Sequence, residues 1–173
     1  MGERVRGALR RRAQRPQEPA GNSHGEALGD LHTHHPEGLW DAITDPDIRS
    51  GYNFGARVIS DWTEGSRFEM RAPGAAGPLG EGRNPEVDPP RRPVQSMVAS
   101  WSDGVRSEGP TRITWEIEPV GDSCRLTVTR DELCEGARDE LYDGWPMILS
   151  GLKTWLETGQ LLTTPGSLKY GGW

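Results

Sequence analysis

Three closely spaced histidines, His32, His34 and His35, follow Glu26 and Asp30 and form the densest set of metal-ligating side chains in the sequence. On a strand, His32 and His34 would point to one side and could chelate a divalent ion through imidazole nitrogens. Glycines flank the segment, however, and no distant ligand completes a coordination shell, so no metal site is expected. Hydrolysis needs a nucleophile, a base and an orienting group within hydrogen-bond reach. All the histidines precede residue 36, and there is no Gly-x-Ser-x-Gly turn. Cys124 begins a strand pattern and Cys134 follows one, each without a nearby histidine or helix N-terminus to activate the thiol. Gly77 to Gly82 lacks the Lys-Ser/Thr of a phosphate-binding loop. Glu116 and Glu118 share one face of a strand pattern and read as solvated charge. No catalytic residue and no cofactor is assigned.

What remains is apolar and aromatic: Phe54, Trp62, Met97, Trp101, Trp115, Trp145 and Leu149. Such a set can line a cavity for a planar or hydrophobic molecule, with indole N–H groups as orienting donors. Plain core packing competes with this reading and must hold for most of them. Arg91 and Arg92 could contact a ligand or partner, but solvated turn charges are the simpler expectation.

The elements that would position this set are legible. Asp143 to Gly159 reads as an amphipathic helix in which Trp145, Ile148, Leu149, Leu152 and Leu156 share a face. Asp143 is the expected cap, Pro146 is tolerated in the first turn, and Gly159 is placed to end the helix left-handed. Pro36 to Asp45 predicts a short helix burying Leu39, Trp40 and Ile43 and stopped by Asp45-Pro46; a second short helix or turn runs towards Tyr52. Residues 56–62 and 66–72 predict a hairpin turning at Gly65. Residues 81–87 predict a strand weakened by Pro85, and Asp88 to Arg92 a turn. Strands follow over Val94–Trp101, Arg112–Glu118 and Cys124–Arg130, joined by polar connectors around Asp103-Gly104 and Gly121-Asp122. In the middle one, Ile113, Trp115 and Ile117 alternate with Thr114, Glu116 and Glu118, giving one buried and one wet face.

Composition sets the bounds. A chain of 173 residues is one domain with extensions, and its 33% hydrophobic content with Gly 23 and Pro 14 predicts that part of it carries no packed structure. A net charge of −6 argues against a general nucleic-acid surface. No apolar run approaches the roughly 20 residues of a membrane span, no signal-peptide core is present, and two cysteines provide no disulfide framework. The expected setting is the cytoplasm. Residues 1–24 hold Arg4, Arg6, Arg10, Arg11, Arg12 and Arg15 with almost no apolar content, which predicts a disordered basic extension. Residues 163–173 read as a C-terminal tail.

Helix, hairpin, antiparallel strands and long final helix, in this order, resemble the START-like (SRPBCC) superfamily. The resemblance narrows to homologues of the activator of heat-shock protein 90 ATPase. It is carried by Leu39 to Pro46, Val58 to Trp62 with Gly65, Glu86 to Arg92, and Gly144 to Gly159. It implies an α+β helix-grip fold of the birch-pollen-allergen kind over residues 25–162: a curved antiparallel sheet around a long C-terminal helix, with two short helices after the first strand. The gap between sheet and helix is the usual pocket for a small hydrophobic molecule. The resemblance further implies a chaperone as protein partner, by analogy, in a monomer or homodimer. Two departures stand out. Gly25 to His35, where the family has its first strand, carries two glycines and few strand formers, and reads as a replaced N-terminus that leaves Cys124–Arg130 with a bare edge. Asn53 stands in Tyr52-Asn53-Phe54-Gly55 where tryptophan is usual, which bears on the pocket mouth.

Three functional readings follow: a domain binding a small hydrophobic ligand, as a chaperone-activator-like or stress-related protein; a polyketide-cyclase or aromatase-like enzyme of the same superfamily; or a defective product with an altered N-terminus.

Overall fold

A computed structural model of the chain describes residues 24–27, 35–134 and 144–163. The expected basic extension, the tail from residue 164, His32, His34 and Asp143 lie outside these residues. Seven strands form one antiparallel sheet in the order β1-β7-β6-β5-β4-β3-β2. They are β1 (His24–Ala27), β2 (Arg57–Ser60), β3 (Arg67–Arg71), β4 (Gly80–Asp88), β5 (Arg92–Ala99), β6 (Pro110–Val120) and β7 (Ser123–Asp131). The helices are α1 (Pro36–Thr44), α2 (Pro46–Tyr52), α3 (Asp103–Arg106) and α4 (Trp145–Thr158).

The α1–α2 boundary follows from Asp45-Pro46. Proline at the start of α2 takes a position whose N–H has no helical acceptor. The Asp45 carboxylate accepts from the amides of Asp47 at 2.8 Å and Ile48 at 3.0 Å, capping α2 as α1 ends. At the far end of the chain Gly159 adopts φ +67° and its N–H donates to the Trp155 carbonyl at 2.7 Å, closing α4 as its spacing predicts. The residue flanking the start of α4 is Gly144, with no side-chain cap.

Three expectations need correction. The first strand is not lost: His24–Ala27 pairs with β7, His24 facing Arg130 and Ala27 facing Thr127. Ladder bonds are made by backbone, so two glycines lower strand propensity without abolishing pairing. The β7 edge is thus covered from Thr127 to Arg130. Second, β5 stops at Ala99, leaving Trp101 in a bend beyond it. Third, the connector at Asp103 is a helical turn, α3, where Ser102 Oγ accepts from the Val105 amide at 3.2 Å.

Pro85 sits where strand proline is tolerated, in an irregularity of β4 between Arg83 and Glu86. Beside it Asn84 is fully buried and pins the β2–β3 loop, donating from Nδ2 to Ser60 Oγ at 2.7 Å and Ser66 Oγ at 2.9 Å. On the outer face Arg92 pairs with Glu86 at 2.8 Å, and Arg91 pairs with Asp88 at 2.9 Å. These partly exposed pairs contribute little to stability, about 0–1 kcal/mol each.

The inner face is set by strand parity. Ile113, Trp115 and Ile117 of β6 are buried together with Leu126 and Val128 of β7. Leu39, Ala42 and Ile43 of α1, Tyr52 of α2, and Leu149 and Leu152 of α4 close over them in one core. Each large side chain removed from water contributes about 1.5–3 kcal/mol. No helix among the described residues is long and apolar enough to cross a membrane.

Candidate functional site

The inner face of the sheet can be read as rows running across the strands. Gln95 faces Ile113, which faces Arg130. One row over, Phe68 faces Gly82, Gly82 faces Met97, and Met97 faces Thr111. In the next, Val58 faces Met70, Met70 faces Gly80, and Gly80 faces Ala99. Two of the three β4 positions in or beside these rows are glycine, so the middle of the sheet carries no side chain there. Gly82 is required by the backbone beside it, and Gly80 is closely approached. A Cβ on Gly82 would lie 1.8 Å from the Ser96 carbonyl oxygen, and one on Gly80 would lie 3.1 Å from Met97 Sδ.

Between this floor and the N-terminal half of α4 lies a cavity of about 250 Å³. Its deep wall is made by buried Val58, Phe68, Met97, Ile113, Gln95 and Arg49; its partly exposed side holds Phe54, Met70, Trp101, Trp145 and Ile148. Four of the seven sequence candidates therefore meet at the cavity: Phe54, Met97, Trp101 and Trp145. Phe54 reaches it because the chain leaves α2 through two left-handed residues, Phe54 at φ 53° and Gly55 at φ 78°. For a phenylalanine that conformation costs about 1–2 kcal/mol, and it sets the ring against Gly144 at the start of α4.

The other three lie elsewhere. Trp115 is fully buried behind the wall, its ring centroid 5.5 Å from that of Trp145. Leu149, one residue past Ile148, turns into the core beside Leu152. Trp62 is a strut: its indole N–H donates to the Thr44 carbonyl at 3.0 Å, and its ring meets Trp40 edge-on at 6.5 Å. Asn53 lines the cavity, and its Nδ2 donates to the Ala56 carbonyl at 3.2 Å. Arg91 and Arg92 are not among the lining residues.

Sequence reasoning missed the polar part of the wall. Arg49, on α2, is 6% exposed; its Nη1 donates to the Ile43 carbonyl at 3.0 Å, while its Nε has no hydrogen-bond partner. The guanidinium carbon lies 5.1 Å from the Trp115 ring centroid, a cation–π contact. Burial lowers the Arg49 pKa from its ordinary value, and the Coulombic interaction with Tyr52 opposes that shift. Tyr52 shares this environment: burial pushes its phenol up to about 12, against the pull of Arg49. Its hydroxyl donates to the Ala42 carbonyl at 2.7 Å. Gln95 is 2% exposed and its Nε2 has no partner. Arg130 is held by Thr111 Oγ1, to which Nη2 donates at 2.9 Å and Nε at 3.2 Å. Strand parity carried a signal for two of these: Gln95 shares the inward face with Met97, and Arg130 shares it with Leu126 and Val128.

Among the described residues no aspartate, glutamate or histidine lines the cavity, and no group of three metal-ligating side chains occurs. The cysteines are free, Cys124 buried and Cys134 exposed. The site is an apolar chamber with arginine and amide groups in its wall. It can enclose a small molecule and donate hydrogen bonds to it.

Comparison with solved structures agrees with this architecture. An HSP90 activator from Plasmodium falciparum superposes with TM-score 0.63 at 18% identity, covering 79% of this chain and 97% of that one. The Aha1 dimer from Colwellia psychrerythraea gives 0.62 at 17% identity, covering 80% and 98%. CalU16 from Micromonospora echinospora gives 0.59 at 19% identity, covering 85% and 78%. At these identities the likeness establishes the helix-grip fold. No curated protein sequence matches the chain. The model of the family described as activator of Hsp90 ATPase homolog 1-like protein matches residues 33–157, most of the sequence, and the chain belongs to that family.

Proposed function

We propose that this domain binds a small hydrophobic molecule between the sheet and α4. The observation that carries the reading is the cavity itself: about 250 Å³ walled mainly by aliphatic, methionine and aromatic side chains. Protein interiors are close-packed, and voids larger than a water molecule are few. A chamber just under the roughly 300 Å³ at which ordinary ligand pockets begin suits one small occupant. Phe54, Met97, Trp101 and Trp145 are the proposed apolar contacts, with the indoles of Trp101 and Trp145 on the partly exposed side. Likeness to the HSP90 activator of P. falciparum makes a chaperone the protein partner to test first, and the Aha1 dimer makes a homodimer the assembly to test.

A second reading, a ring-closing enzyme of the polyketide-cyclase kind, draws on Arg49 and Arg130 in the same wall. Two guanidinium groups can stabilise an enolate or alkoxide. They are poor proton acceptors, because arginine stays protonated across ordinary pH. With no carboxylate or imidazole among the described lining residues, binding is the better-supported reading.

Native mass spectrometry of the protein purified from its own cells tests the proposal. A co-purifying small molecule that leaves on unfolding is the expected result. Protein at the bare chain mass, with no thermal shift across a panel of lipids and aromatic polyketides at micromolar concentration, would count against it.

A further inference from the structure

Resting on the reading of the cavity as a binding site, we propose that its occupant is a hydrophobic carboxylic acid, whose anionic head is received by Arg49 and Gln95. An apolar ligand alone does not account for these two side chains. A chamber for a purely hydrocarbon guest gains nothing from a buried guanidinium, and burying a charge without a counter-charge is unfavourable. Among the described residues no carboxylate forms an ion pair with Arg49. Its polar contacts are the Ile43 carbonyl and the face of Trp115, while its Nε is buried without an acceptor.

Gln95 makes the same point independently. It comes from the sheet rather than a helix, it is almost completely buried, and its Nε2 has no partner although both residues line one chamber. An unpaired amide in such a place is destabilising. A carboxylate offers two oxygens and several lone pairs, enough to accept from a guanidinium and an amide together. The lining supplies these donors and, among the described residues, no competing carboxylate. The aromatic and methionine side would then hold the ligand's body, with the acid pointing to the wall shared by α2 and β5. Burial depresses the Arg49 pKa, and a bound carboxylate would oppose that shift.

The test separates head from body. Quenching of tryptophan fluorescence, read through Trp101 and Trp145, is titrated with two acids, decanoate and naphthoate, and with their neutral partners, decanol and naphthalene methanol. The expected result is binding of at least one acid, tenfold or more tighter than its alcohol. Gln95→Leu, which keeps the volume and removes the amide, should weaken the acid about tenfold and the alcohol by less, narrowing the preference. Arg49→Gln should abolish the preference. Acids and alcohols bound equally well would overturn the inference while leaving the binding site standing. Silence from all four compounds at millimolar concentration would overturn both. Because Gln95→Leu replaces an unsatisfied amide by an apolar group, it keeps the test open if Arg49→Gln fails to fold.

Discussion

Alkaline unfolding gives the sharpest check on the packing that roofs the cavity. Tyr52 ends α2, is 5% exposed, and bonds α1 through the Ala42 carbonyl at 2.7 Å. Its Cβ also meets α4, since a Cβ on Gly151 would lie 3.0 Å from it. Deprotonation would remove the donor and bury an oxyanion, which is why burial pushes this phenol from 10.0 up to about 12. The folded state therefore holds the proton more tightly than the unfolded chain. Stability from this group is complete below pH 10 and is lost as the pH climbs towards 12. Two units at about 1.4 kcal/mol each give a loss of about 2–3 kcal/mol over that window. Arg49 acts with the opposite sign, because a lowered cation pKa costs stability at neutral pH and returns it only at high pH. Comparison of wild type with Tyr52→Phe isolates the tyrosine. Urea unfolding at intervals from pH 9 to 12 should show a fall in wild type that the variant lacks. The variant should start about 1 kcal/mol lower from the lost hydrogen bond. Tyrosinate absorbance should show a late-titrating phase, and that phase should vanish in the variant. Parallel pH profiles for the two proteins would refute the reasoning.

Glycine substitutions should split by environment in the same urea assay. Gly82→Ala, whose new methyl would fall 1.8 Å from the Ser96 carbonyl oxygen, should cost about 3 kcal/mol or more by forcing β4 from β5. Gly38→Ala, with nothing within 4 Å on α1, should instead stabilise by about 0.5–1 kcal/mol. Gly159→Ala should cost about 1 kcal/mol, because the α4 stop sits at φ +67°. Thiol labelling of folded protein should modify Cys134 rapidly and Cys124 only on unfolding; equal rates would contradict the buried inward face of β7.

Local patterns carried most of the fold. Ile113, Trp115 and Ile117 alternate on a single strand, and α4 shows a helical stripe with Gly159 as its stop, so neighbours in sequence decide both. The cavity depends on relations between distant segments. Trp115 satisfies the same aromatic pattern as Trp145, yet one stands behind the wall and the other on it, because β6 lies under the core while α4 begins over the chamber. Leu149 and Ile148 are adjacent on one helix, and about 100° of rotation sends one to the core and the other to the cavity. Arg49 reads as a surface residue in Asp47-Ile-Arg-Ser-Gly51. Only the packing of α2 against α1, α4 and β2 places its cation above Trp115. The β1 pairing was missed for another reason: propensity scores side chains, whereas a four-residue ladder to β7 needs only backbone.

The chamber and its polar wall have different origins, and the difference bears on function. At β4, Gly80 and Gly82 let Met97, Phe68 and the Ser96 backbone approach closely, and the chamber lies among the side chains of the neighbouring strands, α2 and α4. A gap formed that way could have been walled throughout by leucine and phenylalanine, and the protein would be more stable for it. Instead the α2 wall presents Arg49 and the β5 wall presents Gln95, each buried with a donor unmatched. Two independent elements bearing the same unfavourable feature towards one space are poorly explained by packing. The proposed occupant, with acceptor atoms for both, would account for them.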